Sequence, residues 1–387
     1  MELISRSLKW SILTVVMAAV CGCRAPHVSD LFKLRKDLAL TDLACTRPRT
    51  RVGSFASSTL STKFLSASEL GKHSYRFNVV EKNGVVYTCS GGHLDIAHLR
   101  NQADWTAHLC ALTHYRLKDG VSEFSFELEE DTTCHVYVEY PPDWQRREDV
   151  DKALALFDVS AGLGRYFSYQ ASIWHEIVTW FGYKTTGFYP EFGSSFSWED
   201  MYSNLIGCHI GYVALYDSQR SFDDAVTFAL EAELKKLSGQ PSRTARHAAD
   251  LVRGQWFVGE QPIVIMKGRN FDVGLANGHV TPWLVPGVAV CGDVAPRPYP
   301  VPDLDFAEEY GFSVRFEMEP RLWEKAKIFA ILYPDGSPHT RFEPDSQLHV
   351  IMDYIERDAA RRYGSDVAVL HSADSPKKSG SDSASLN

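Results

Sequence analysis

Residues 169–183, "YQASIWHEIVTWFGY", constrain the fold more than any other stretch. On a helical wheel at about 100° per residue, Trp174, Ile177, Val178 and Phe181 share one apolar face. Glu176 falls nearly opposite, where a helix lying on a surface would show water-loving neighbours. Its neighbours are instead Tyr169, Ser172, Trp180 and Tyr183, and no other charged residue occurs between Arg165 and Lys184. A helix that is apolar or aromatic all round is buried all round. The rest of the chain must therefore supply cover on every side, and 387 residues with 44% hydrophobic and 12% aromatic content suffice for one large domain or two.

This reading puts His175 and Glu176 in the interior, where a carboxylate finds a charge, a proton or a metal. The nearest template is HExxH, with two histidines one turn apart on zinc and a glutamate that activates water. Here the fourth residue after His175 is Thr179, so that motif is absent as such. A buried structural hydrogen-bond pair is the competing explanation.

A second candidate is "GGHLDIAHLRNQADWTAHL". On the wheel His98 joins Leu94, Trp105, Leu109 and Leu112 on a core-facing stripe, with Asp95 one turn earlier and within side-chain reach. An Asp-His pair can fix an imidazole tautomer for metal binding or base catalysis, or can be a satisfied core pair. Arg100 and Asp104 lie on the opposite side and read as an ordinary surface pair. In "FSWEDMYSNLIGCHIG", Ser197 reads as an N-cap with Glu199 and Asp200 in the first turn, as the helix dipole favours. Gly207 and Gly211, four apart, imply close helix contact. Adjacent Cys208 and His209 point about 100° apart and cannot act as a nucleophile-base pair.

The remaining pattern is mixed α+β, with a predominantly helical centre, small antiparallel strand elements and a C-terminal strand/helix unit. "NGVVYTC" reads as a strand and "VSEFSFELEEDTTCHVYVEY" as a strand pair. Helices are expected over about 147–163, 168–183 and 198–216, and over Phe222 to Lys236 with Ser221 as N-cap. Six prolines in 282–302 mark a long irregular connection; then "FSVRFEMEP" and "KIFAILYP" read as strands and 344–363 as a helix. Strands and helices are segregated, and no GxGxxG, P-loop or GxSxG occurs, which argues against a doubly wound nucleotide-binding fold.

The first 23 residues, "MELISRSLKWSILTVVMAAVCGC", combine a short positive region, an apolar run too short for a span of about 20 residues, and a small-residue end. The closing "VCGC" resembles a bacterial lipoprotein box, with cleavage after Gly22 and Cys23 as the lipid-bearing residue. The expected organisation is a signal peptide over 1–22, an anchor and tether over 23–40, a single large α+β domain over 41–363 and a low-complexity, disordered tail over 364–387. Arg24 rather than Asp follows Cys23, which by resemblance to Gram-negative sorting favours the outer membrane, facing the periplasm. Removing 1–22 shifts the formal charge from −9 to −10, an acidic balance that argues against nucleic acid as a partner. Cys45, Cys89, Cys110, Cys134, Cys208 and Cys291 remain, with no CxxC and with any disulfide pairing open.

Taken as an ordered set, "LGKHSY", "YTCSGGHLDIAHLRNQADW", "WHEIVTWFGY" and "FSWEDMYSNLIG" resemble the bacterial family called domain of unknown function 4056. The resemblance covers roughly residues 40 to 360 and draws attention to Asp95, His98, Arg100, Asp104, His175, Glu176, Asp200 and Asn204. The family has no established activity, so the resemblance implies no reaction. Two readings follow. In one, Asp95, His98, His175 and Glu176 meet in a pocket and hydrolyse an envelope substrate. Glu176 is then the general base, and His98, His175 and Asp95 are candidate ligands of a divalent metal such as zinc. In the other, the same residues form a buried polar network in a non-catalytic envelope binding or scaffold lipoprotein.

Overall fold

The helices expected over about 147–163 and 168–183 are one, running Asp149–Phe181 for 33 residues. Nothing between them stops a helix. Gly162 and Gly164 serve packing instead: a Cβ on Gly164 would lie 2.6 Å from both Thr106 O and Cys110 N of a neighbouring helix. The helix ends at Gly182, whose φ of +112° suits glycine, with its N–H donating to Thr179 O.

The computed structural model describes residues 40–51, 63–76, 80–184, 193–258 and 265–364. The expected signal, Cys23 with its tether up to residue 39, and the expected tail from 365 onward lie outside the described residues. In chain order the first elements are α1 (Leu40–Cys45), β1 (Val85–Thr88), β2 (Gly92–Asp95), α2 (Ile96–Lys118), β3 (Glu123–Glu127), β4 (Thr132–Glu139) and the long α3 (Asp149–Phe181). There follow α4 (Asp200–Leu215), α5 (Phe222–Lys236), α6 (Ser242–Val252) and the two-residue strands β5 (Phe257–Val258), β6 (Ile265–Met266), β7 (His279–Val280) and β8 (Tyr299–Pro300). Last come α7 (Asp305–Glu308), β9 (Ser313–Pro320), α8 (Lys325–Leu332) and α9 (Pro344–Tyr363).

The class is α+β, as the segregated pattern predicts. Strands β3, β4 and β9 form an antiparallel sheet with β4 central, where Cys134 stands opposite Phe126 on one side and Met318 on the other. Its alternating inner face packs on α3: the Phe167 ring lies 5.4 Å from Phe126 and 5.0 Å from Phe316. The C-terminal strand β9 joins this sheet as its third strand. The other strands pair in twos, β1 with β2, β5 with β6 and β7 with β8.

Helix α4 lies close against α2, as the Gly207/Gly211 spacing predicts. A Cβ on Gly211 would stand 2.6 Å from Ala103 O, and one on Gly207 would overlap Leu99 O. On α5, Ser221 caps the helix by accepting from Asp224 N, and Phe222, Val226, Leu230 and Leu234 are buried. Among the described residues no helix is long and apolar enough to cross a membrane.

Three local expectations are corrected. "KIFAILYP" is helix α8, not a strand; only Ile328 and Phe329 are buried, and a short apolar run does not itself reveal its period. Helix α4 starts at Asp200 with Glu199 at the N-cap position, so Ser197 lies in the preceding turn. Arg100 and Asp104 are not a surface pair, for both are buried. Asp104 accepts from Arg51 Nη1 at 2.7 Å and meets His73 Nε2 at 2.9 Å; Glu81 accepts from Arg51 Nε at 2.6 Å and lies 3.6 Å from Arg100. The segment carrying Arg51, His73 and Glu81 covers the face of α2 that the wheel assigns to solvent.

Cys89 and Cys291 form a disulfide that ties the β1–β2 turn to the proline-rich connection. Cys110, Cys134 and Cys208 are buried free thiols, and Cys45 is an exposed one.

Candidate functional site

Where β2 passes into α2, Asp95 caps the helix, accepting from Ala97 N at 2.8 Å. One turn on, His98 looks across to the start of α4, where its Nδ1 lies 3.0 Å from Asp200 Oδ1. Asp200 in turn accepts from Ser197 N at 3.0 Å through its other oxygen. Helix α3 brings His175, Glu176 and Thr179 against these groups, and the turn over 193–199 closes the side. The result is a cleft of about 40 Å³ whose lining includes Asp95, His98, His175, Glu176, Thr179, Glu199 and Asp200. Asp95, His98, His175 and Glu176, proposed from two sequence segments some 80 residues apart, thus share one cavity wall. Arg100 and Asp104 belong to the separate ionic network, and Asn204 is buried on α4 without lining the cleft.

The interior position expected for Glu176 holds: the residue is 4% exposed, and its Oε2 accepts from Phe196 N at 2.6 Å. Phe196 has a φ of +54°, an uncommon conformation for a bulky residue that costs about 1–3 kcal/mol, so Glu176 clamps a strained turn. His175 departs from expectation. Its side chain is 35% exposed and its Nδ1 is 2.9 Å from Glu130 Oε1 in the turn between β3 and β4.

Two titrations are displaced in ways that matter for chemistry. Burial, then the adjacent Asp200 carboxylate, pushes Glu176 up to about 7 against the opposing pull of His175, the Phe196 N–H and His98. For His98, burial opposes the charged ring, but Asp95, Asp200 and Glu176 outweigh it and lift the pKa to about 10. Glu199, buried and beside Asp200 and Asp95, is held well above the ordinary carboxylate range. Behind the cleft wall, buried Arg269 donates to Ser195 O and Ser195 Oγ.

This donor set does not suit the expected metal. Among the described residues no three His, Cys, Asp or Glu side chains gather to hold an ion. The individual contacts give the reason: His98 keeps its proton beside Asp200, His175 turns to Glu130, and Asp95 is engaged as a helix cap. The ligand set His98, His175 and Asp95 is thus not assembled.

The sequence reading missed Glu130, Thr179 and Glu199 as parts of the site. Thr179 was detectable, since it occupies the last position of the incomplete HExxH pattern. Glu199 reads from the sequence as helix-dipole compensation, while nothing in the sequence ties Glu130 to His175. A larger groove of about 360 Å³ at the end of α3, lined by Trp180, Phe181, Lys327, Tyr354 and Arg362 among others, contains no carboxylate or histidine among the described residues.

An α+β protein with a carboxylate-rich cleft between two helix N-termini and a buried central helix is the class that fold and site define. The chain belongs to the family described as "Protein of unknown function (DUF4056)", whose profile matches residues 58–277. The match includes every residue of the cleft and stops short of β9, α8 and α9. No curated protein and no solved structure matches the chain.

Proposed function

We propose that this chain is a lipid-anchored envelope protein whose cleft carries out general acid–base chemistry of a hydrolytic kind, with Glu176 moving the proton. The observation that carries the reading is the placement of Glu176, nearly inaccessible yet lining the same cleft as the His98–Asp200 pair. A carboxyl group pushed up to about 7 exchanges protons readily near neutrality. His98, at about 10, keeps its proton there and serves as a fixed positive charge rather than a base. Glu176 takes a proton from water as the oxygen adds to an electrophilic carbon, His98 stabilises the negative charge that develops, and Glu176 returns the proton to the leaving group. Pairs of titratable groups driven apart by their surroundings are the usual sign of such a division of labour.

An envelope location is supported by the "VCGC" end of the apolar leader and by the Cys89–Cys291 disulfide, which suits an oxidising compartment. The test uses the full chain with peptidoglycan fragments, phospholipid and chromogenic esters and amides, beside a Glu176→Gln variant. The reading requires hydrolysis that falls by about 10²-fold or more in the variant; hydrolysis indifferent to it would sink the assignment. The second reading, a non-catalytic binding lipoprotein, is favoured by the bond from Phe196 N to Glu176, which has structural work independent of any reaction. Absence of turnover across the panel would select it. Attachment is tested by Cys23→Ser, which should abolish labelling with radioactive palmitate; persistent labelling would move the anchor elsewhere.

A further inference from the structure

Two oxygens of the cleft lack a hydrogen-bond partner among the described residues. Thr179 Oγ1 and Glu199 Oε2 are inaccessible and make no hydrogen bond among the described residues, although both side chains line the cavity. Thr179 is 2% exposed and Glu199 1%. A buried oxygen left without a hydrogen bond is costly, so the cavity is adapted to something that donates hydrogen bonds. Helix capping accounts for Asp95 and Asp200, whose carboxylates accept from Ala97 N and Ser197 N. It does not account for Glu199, which stands at the N-cap position of α4 with no side-chain cap bond.

We propose that this cleft seats a primary ammonium group, so that the molecule it takes is a primary amine. The cleft suits a cation: among the described residues no Lys or Arg lines the cavity, each histidine already faces a carboxylate, His98 towards Asp200 and His175 towards Glu130, and an ammonium takes the place of the proton that burial and the neighbouring carboxylates hold on Glu199. A volume of about 40 Å³ admits one small group, since a single water needs about 10–15 Å³. Among small cations, a metal requires oxygens gathered at about 2.0–2.6 Å, and the side chains do not gather in that way. An ammonium has three N–H donors that reach separate acceptors at ordinary hydrogen-bond length. Glu199 Oε2 and Thr179 Oγ1 are two such acceptors, and the Glu176 carboxyl group lines the same cavity. The proposal uses the same cleft as the hydrolytic reading but depends only on binding.

The test is ligand-observed NMR on the full chain in detergent, with propylammonium, propan-1-ol and tetramethylammonium as probes at neutral pH. Saturation transfer to propylammonium is expected, with none above background to the alcohol or to the cation that lacks N–H. Glu199→Gln and Thr179→Val should each weaken propylammonium at least tenfold. Equal binding of amine and alcohol, displacement of the amine by lower concentrations of calcium or zinc, or wild-type affinity in both variants would overturn the proposal. Should Glu199→Gln fail to fold, the three-probe comparison on the native chain and the Thr179→Val variant still decide. Lack of amine binding together with hydrolysis that is lost in Glu176→Gln would remove this proposal and leave the hydrolytic reading intact.

Discussion

Replacing Glu176 with glutamine should stabilise the protein in alkaline solution and leave it nearly unchanged in acid. The folded state lifts this carboxyl from its ordinary 4.5 to about 7, so folding favours the protonated form. That contribution is fully present below about 4.5 and is lost as the pH rises through about 7. The displacement corresponds to about 3 kcal/mol, because each pH unit is worth about 1.4 kcal/mol. Glutamine imitates the protonated acid and keeps an oxygen to accept from Phe196 N, so the strained turn stays clamped. The variant should therefore match the native chain at pH 4 and exceed it by up to about 3 kcal/mol at pH 8, or about 4 °C in Tm for a chain of this size. Thermal and urea unfolding followed by tryptophan fluorescence at both pH values measures the difference. A constant offset between the proteins at both pH values, or a native chain that is the more stable at pH 8, would refute the reasoning.

Three further outcomes follow from the packing. Gly211→Val should lower stability by at least about 2 kcal/mol, because the new side chain meets Ala103 O and pushes α4 off α2; a thermal melt reads the loss. Asp104→Ala leaves Arg51 with Glu81 alone and takes the carboxylate from buried His73, and should cost about 3–5 kcal/mol in urea titration, with a near-neutral result contradicting the buried network. Cys291→Ala should cost about 2–5 kcal/mol, and reductant should reproduce the loss in the native chain but leave the variant unmoved.

The elements that sequence revealed are those whose own side chains carry the period. The alternation Phe124, Phe126 and the stripe Phe222, Val226, Leu230, Leu234 predict their strand and helix because each has one wet face. Helix α2 misled for the opposite reason: polar Arg100 and Asp104 look like a solvent face, yet ions from residues 51–81 meet them in the interior. For the site, an aromatic ring of neighbours was enough to bury Glu176, and Asp95 and His98 were found through their one-turn spacing. The partners that set their charge were not legible, because Asp200 and Glu130 reach them through tertiary contacts that no local spacing records. Likewise the strand reading of "KIFAILYP" failed where eight residues hold too few repeats to separate two periods.

The order of strands in the main sheet bears on the life of the nascent chain. Central β4 follows β3 after a short turn, but its other neighbour arrives far later: His135 meets Glu319, 184 residues on. The turn just before β4 holds Glu130, the partner of His175, and the disulfide likewise waits 202 residues for its second cysteine. A chain emerging from a ribosome or a translocation channel thus carries Asp95, His98, His175 and Glu176 long before the strand and the crosslink that fix their surroundings exist. The walls of the cleft are consequently incomplete until synthesis has passed residue 320, and a product released earlier lacks the finished sheet against which α3 packs.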